Sequence, residues 1–395
     1  MKITVTGTLL LLVFCVVSVS AWGQGEFELK YQEFKDDSHS LVDFGKQWVQ
    51  RAREKPSELK GLPEDLSNKV GYFVGRPGGK RVLMVVDPAD PPKLYVDTDL
   101  DSDLSDEKPL TGAAREEPVP FGVVSVKSPD AKDTPAMRFA VYAYIQRGTV
   151  HHLYFSPAGF FSGEATFAED THAVALLDAD LDGRLGKAGP STRGRYDYFA
   201  MDLNGDGGFD YPAGEVMPLS DMVRVNQAYF TVEVEPDGSA IRFDKVAPKL
   251  GTLKVASPLV RMTVSSSNGF FRLEGSDGTW QLPVGRYQIA MLQLGRKDDD
   301  GVEWTLQCLQ PPQKLRQFKI REGETTSIEI GPPLTLAATT SKKGKTVSIG
   351  LELAGRAGER YLPGAVKNGK MQDAPSLKIL DENGKELVSG SFEYG

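Results

Sequence analysis

From residue 70 onward, apolar side chains come in short runs rich in β-branched and aromatic residues, cut apart by Gly, Pro, Asp and Ser. Residues 81–86, 137–145, 150–155 and 229–234 are such runs, and this punctuation reads as sheet almost without interruption. The runs are too short, and too rarely separated by helical periodicity, for a parallel α/β sheet. The expected class is mainly β and multi-domain, built from β-sandwich modules.

One segment departs from that pattern. Ser40 stands as an N-cap before residues 41–53, where Leu41, Phe44, Trp48 and Val49 fall on one helical face, and Pro56 and Gly61-Leu62-Pro63 end the run. This predicts one short N-terminal helix packed on the domain that follows.

Residues 1–21 read as an export signal. Lys2 supplies the positive start, Leu9 to Val17 the apolar stretch, and Val19-Ser20-Ala21 a small-residue cleavage site. That apolar run is short for a membrane span, and Phe14 sits where a lipoprotein site before Cys15 wants a small residue. The expected location is therefore outside the cytoplasm, periplasmic or extracellular, with no transmembrane segment after cleavage. About 370 residues remain, enough for two or three cores. Losing Lys2 takes the formal charge from −8 to −9, which argues against nucleic acid as a partner. Cys308 is then the only cysteine, so an internal disulfide is excluded. The apolar run from Trp304 to Leu309 predicts a buried, inert thiol on a strand.

Composition shifts divide the remainder. Residues 22–60 form the N-terminal helical segment and 61–250 a β-rich domain. A break near Pro248–Gly251 opens a second module over 251–331, and Gly331-Pro332-Pro333 leads into a small immunoglobulin-like segment, 332–395. Within the second module, Leu282-Pro283-Val284-Gly285-Arg286-Tyr287 resembles the LPxGxY element of prealbumin-like and carboxypeptidase-regulatory-like sandwiches, and residues 318–331 resemble their closing strands. The likeness spans about 80 residues and implies an architecture, not an activity.

Three acidic stretches carry the strongest chemical signal. Asp97, Asp99 and Asp101 are followed by Leu104; Asp178, Asp180 and Asp182 by Gly183 and Leu185; Asp202, Asn204 and Asp206 by Gly207, Phe209 and Asp210. Side-chain oxygens at alternate positions of a tight loop converge on one hard cation, and an apolar eighth residue pins the loop to the fold. The expected ligand is Ca2+. Through position nine these stretches resemble the calcium loops of EF-hand and dockerin proteins. They depart from that pattern at position twelve, where a bidentate Glu is replaced by Lys108, Gly189 or Ala213, with Glu107 one residue early and Glu215 two late. They also follow apparent strands rather than helices. Binding should then be structural and weak, in the range of about 10⁻⁴ to 10⁻³ M. Asp202 to Asp210, with four side-chain donors and Gly207, reads as the strongest site. Arg184 and Lys187 weaken the second, and Ser102 in place of glycine makes a left-handed turn less comfortable in the first. The 24-residue offset between the second and third loops would let them sit side by side.

Signals for catalysis are sparse. His39, His151, His152 and His172 make no zinc spacing, and strand alternation would put His151 and His152 on opposite faces. No nucleophile elbow, phosphate loop or dinucleotide fingerprint is present. Trp280, Tyr287 and Trp304 could stack on sugars, although strand positions favour core packing. Asp298 to Gly301 reads as a hairpin turn. The leading expectation is an exported calcium-binding protein with a binding, adhesion or envelope role, whose partner is a glycan or an envelope protein. The alternatives are a carbohydrate-active enzyme or carbohydrate-binding accessory protein, and an assembly protein that exchanges a strand through its last segment.

Overall fold

The computed structural model describes residues 25–35, 40–113, 117–127, 136–167, 169–186, 196–211, 214–256, 259–275, 278–310 and 317–393. The signal sequence lies outside them. The described chain is almost wholly β: its strands are gathered into several sheets, and its helical content is confined to two short 3-10 turns.

The first architectural unit is an eight-stranded antiparallel sheet. Its order is Leu110–Thr111, Lys93–Val96, Val82–Asp87, Gly71–Gly75, Gln47–Arg51, Thr149–Pro157, Met137–Gln146 and Val119–Val126. It curls until its two edges face each other, where the Lys127 N–H donates to the Thr98 carbonyl at 3.0 Å. The concave side closes over one core in which Phe73, Val82, Met84 and Leu94 from one half meet Phe121, Phe139, Val141 and Phe155 from the other. Strand Val82–Asp87 is buried at every position. Its outward residues Leu83 and Val85 are covered by Leu59 and Leu104.

Beside this barrel stands a two-sheet sandwich. Gly25–Glu28, Ala240–Val246, Ala228–Val234 and Met222–Val225 form one layer. Val216–Pro218, Tyr198–Met201, Asp170–Leu177, Gly159–Phe167 and Lys30–Glu33 form the other. Alternation along these strands points Phe167, Val174, Phe199, Phe230, Val232 and Phe243 into the space between the layers. Leu29, between the first two strands, marks where the chain crosses from one layer to the other.

Residues 250–330 build a second sandwich around Leu253, Met262, Phe271, Leu282 and Ile320. Trp280 and Tyr287 belong to that core, and the Tyr287 hydroxyl donates to the Pro283 carbonyl at 2.7 Å. Trp304 is half-buried, its indole N–H donating to Asp298 at 3.0 Å in the hairpin turn expected there. Tyr361, from the last segment, enters the same core. Beyond it, strands Thr335–Lys343 and Ser376–Leu380 remain largely exposed.

Three expectations are corrected. The helix over 41–53 is a single 3-10 turn, Val42–Gly45, followed by strand Gln47–Arg51. That strand pairs with Thr149–Pro157 on one side and Gly71–Gly75 on the other, and two ladders outweigh a local amphipathic pattern. Trp48, assigned to the buried helical face, is 61% exposed. His151 and His152 do not lie on opposite faces: a bulge between Val150 and His152 leaves both exposed. Cys308 does lie on a strand, Glu303–Gln310, but is only half-buried against the second sandwich core.

Candidate metal centres

Each acidic loop leaves the end of a strand: Asp97 follows Lys93–Val96, Asp178 follows Asp170–Leu177, and Asp202 follows Tyr198–Met201. The three share one backbone. Position four has positive φ in all of them, at Leu100 (65°), Leu181 (63°) and Gly205 (76°). So does position six, at Ser102 (69°), Gly183 (81°) and Gly207 (82°). Ser102 thus takes the left-handed conformation despite its side chain, and two leucines do likewise, which costs roughly 1–2 kcal/mol at each such residue.

Local hydrogen bonds explain why these sequences turn alike. The first carboxylate accepts the position-six N–H in every loop: Ser102 to Asp97 (3.3 Å), Gly183 to Asp178 (2.8 Å) and Gly207 to Asp202 (2.9 Å). Position three accepts from position five, as Asp101 to Asp99, Asp182 to Asp180 and Asp206 to Asn204. Position five accepts from position seven, as Asp103 to Asp101, Arg184 to Asp182 and Gly208 to Asp206. An oxygen at every second residue therefore folds the loop before any cation is considered. The eighth residues Leu104, Leu185 and Phe209 are buried at 0, 5 and 7% exposure, as the pinning role requires.

A second acid fastens each loop at its start. Glu107 accepts from the Thr98 N–H and hydroxyl, Asp197 from the N–H groups of Ala179 (3.0 Å) and Gly186 (2.6 Å). Glu215 accepts from Leu203 (3.0 Å), Asn204 (3.2 Å) and Asp210 (2.8 Å). All three engage the N–H of position two. Glu107 and Glu215 are the displaced acids visible in the sequence. Asp197 is not foreseeable there, because it reaches the second loop from the start of the neighbouring strand Tyr198–Met201, whose Tyr198 pairs with Leu177.

Two of the loops gather acids closely enough to hold a metal ion. One carboxylate oxygen from each of Asp97, Asp99 and Asp101 lies within 4.8 Å of the others, and the same holds for Asp178, Asp180 and Asp197. Asp182 stays outside the second group, and Asp197 takes its place. Among the described residues the third loop makes no such group. Both Asp202 oxygens accept backbone N–H groups, the Asn204 amide donates to Asp206 at 3.0 Å, and Asp210 is exposed.

The electrostatics favour a cation at both clusters. Burial, reinforced by the neighbouring acids, pushes the Asp97 carboxyl up to about 6 and Asp178 up to about 7. Burial and then the Asp178 charge push Asp197 up to about 8. Asp97 is 1% exposed and its Oδ1 has no hydrogen-bond partner, so the protein leaves one carboxylate oxygen of this cluster unsatisfied.

The loops do not pair as the 24-residue offset implied. Strands Asp170–Leu177 and Tyr198–Met201 are neighbours but antiparallel, with Val174 opposite Met201, so the second and third loops leave opposite ends of the sheet. The second loop instead meets the barrel. Asp180 O accepts from the Gly78 N–H at 2.8 Å, and a Cβ on Gly78 would come within 2.5 Å of the Asp182 Cα. Leu181 enters the barrel core, Leu185 the sandwich core, and Ala179 a smaller cluster on the sheet's other face. No protein-family model, curated protein or solved structure matches this chain.

Proposed function

We propose that this chain is an exported calcium-binding protein in which the acidic loops hold Ca2+ as structural ions, tying strand ends in a fold without disulfides. The observation that carries this reading is the common loop: one φ pattern and one hydrogen-bond scheme recur at three unrelated strand ends, and two of the three gather a trio of carboxylates. Alternating oxygen donors at this spacing suit a hard cation of flexible coordination, which favours Ca2+ over Mg2+ or a softer metal. The mature surface then serves binding or adhesion in the periplasm or outside the cell, toward a glycan or an envelope protein. Calorimetric titration of Ca2+ into the chelator-treated chain from residue 22, with melting curves alongside, tests the reading. Binding heat with a rise in melting temperature supports it, and no heat at millimolar Ca2+ refutes it.

A carbohydrate-binding role has one observation of its own. On the outer face of the barrel the exposed Trp48 stacks on Tyr144 (6.2 Å between centroids, 20° between planes) beside His152 and Tyr154. Flat aromatic faces with polar edges suit the C–H faces of sugar rings. Glycan-array binding that Trp48→Ala abolishes would support this role, and an array with no signal would remove it.

A further inference from the structure

The barrel is a sheet whose two edges face each other, and the first acidic loop stands at that seam. Its Thr98 carbonyl accepts from Lys127, just past the last residue of edge strand Val119–Val126, while its Asp97 N–H donates to Leu83 O at 3.0 Å inside the opposite half. The Thr98 N–H and hydroxyl are both held by Glu107, so the residue that bridges the seam is held through its N–H and side chain on one side and its carbonyl on the other. Leu100, two residues on, packs against the barrel core from a left-handed backbone, and Leu104 packs in the outer cluster with Leu83 and Val85. The loop thus joins edge strand Val119–Val126 to strand Val82–Asp87 of the opposite half, and it touches both faces of the barrel wall.

This loop also holds the buried carboxylate oxygen without a partner, Asp97 Oδ1, in the cluster with Asp99 and Asp101. A buried carboxylate oxygen left without a hydrogen bond is well satisfied by a cation, which the neighbouring Asp99 and Asp101 attract as well. The side chain that would contact that cation immediately precedes the bridging residue.

We propose that the first loop is a cation-operated latch on the barrel seam: a divalent cation held by Asp97, Asp99 and Asp101 fixes the Thr98 peptide against Lys127 and seats Leu100, and loss of the cation frees that edge. The inference rests on the cation reading above but assigns one loop a local action that the reading does not require. The latch is specific to the seam. The sandwich strands Ala228–Val234 and Ala240–Val246 lie in another sheet and should not respond to this loop.

Hydrogen exchange read by mass spectrometry tests it, on the chain from residue 22 in Ca2+ and in chelator, with calorimetry on the same samples. Chelation should lower protection over residues 93–99 and 119–127 by about tenfold or more while residues 228–246 hold theirs. Asp97→Asn should show the unprotected seam in either condition. Should that variant not fold, Asp101→Asn, at an exposed position, should lose the seam response and keep the remaining binding heat. Binding heat with an unchanged seam, or with protection falling equally in the sandwich, overturns the latch and leaves the calcium reading standing. No binding heat overturns both.

Discussion

Replacing Asp197 with asparagine should stabilise the chelated protein and remove most of the further stabilisation that calcium gives the wild type. The side chain is 3% exposed and shares its pocket with Asp178 and Asp180. Without a cation, burial and the Asp178 charge raise its carboxyl from 3.8 to about 8. At pH 7 the fold must therefore keep a proton that the unfolded chain releases. The gap of roughly three pH units, at about 1.36 kcal/mol per unit, sets this cost at about 4 kcal/mol, shared with Asp178 because the two carboxyls titrate together. Asparagine removes the cost but keeps a single acceptor for the Ala179 and Gly186 N–H groups, and one unmet donor costs about 1–3 kcal/mol. The net gain in chelator is about 1–3 kcal/mol, several degrees of melting temperature for a domain of this size.

The sign with pH follows from the raised value. The contribution of Asp197 is whole below its ordinary value of 3.8 and lost as pH rises through about 8. The advantage of Asp197→Asn in chelator should accordingly grow toward pH 8, disappear between about pH 4.5 and 6 where the proton cost equals that of the unmet donor, and reverse near pH 4. In Ca2+ at about 10 mM, a site in the 10⁻⁴ to 10⁻³ M range stabilises the wild type by about 1.4–2.7 kcal/mol, and the variant loses most of this with its third carboxylate. Thermal melts at three pH values, with chelator and with Ca2+, read both effects. A variant that melts below wild type in chelator at pH 8, or a difference that does not change with pH, would refute the reasoning.

Three further outcomes are expected. Ser102→Gly should raise stability by up to about 1–2 kcal/mol in urea unfolding, because position six needs positive φ (69°), and a loss would mean the hydroxyl has a role of its own. Glu215→Ala leaves the N–H groups of Leu203, Asn204 and Asp210 without their acceptor and should cost about 3 kcal/mol or more, with Ca2+ unable to restore it; a change below 1 kcal/mol would show that water replaces the carboxylate. Leu104→Ala, at 0% exposure between Leu59 and Leu83, should cost about 2–5 kcal/mol and loosen the first loop, seen as lower Ca2+ affinity by calorimetry.

Much of this protein is legible locally. The mainly β class follows from short β-branched and aromatic runs, each bounded by turn residues, and the strands fall where those runs lie. The turn at Asp298–Gly301 and the Tyr287 core position were readable for the same reason. The loops were readable because an oxygen at one residue captures the N–H two residues on, so their backbone is written within nine positions. The N-terminal segment misled for the opposite reason. Its apolar spacing suits a helix, but two neighbouring strands offer it full ladders, and that offer is not visible from residues 41–53 alone.

Sequence by itself determined the class of fold and the shape of each acidic loop, since strand propensity and hydrogen bonds between residues close along the chain set them. It also marked the apolar eighth residue, although the side chains that bury it lie far along the chain. Tertiary structure alone decided that Asp197, and not Asp182, completes the second cluster. Asp197 joins Asp178 and Asp180 because Tyr198 pairs with Leu177 across an antiparallel ladder. The second and third loops part company because that same ladder sends them to opposite ends. The first loop meets Lys127 only because the eight-stranded sheet curls until its edges face each other. Asp197 converges on the second loop through strand pairing between distant segments, and the spacing of residues along one strand carries no record of its partner.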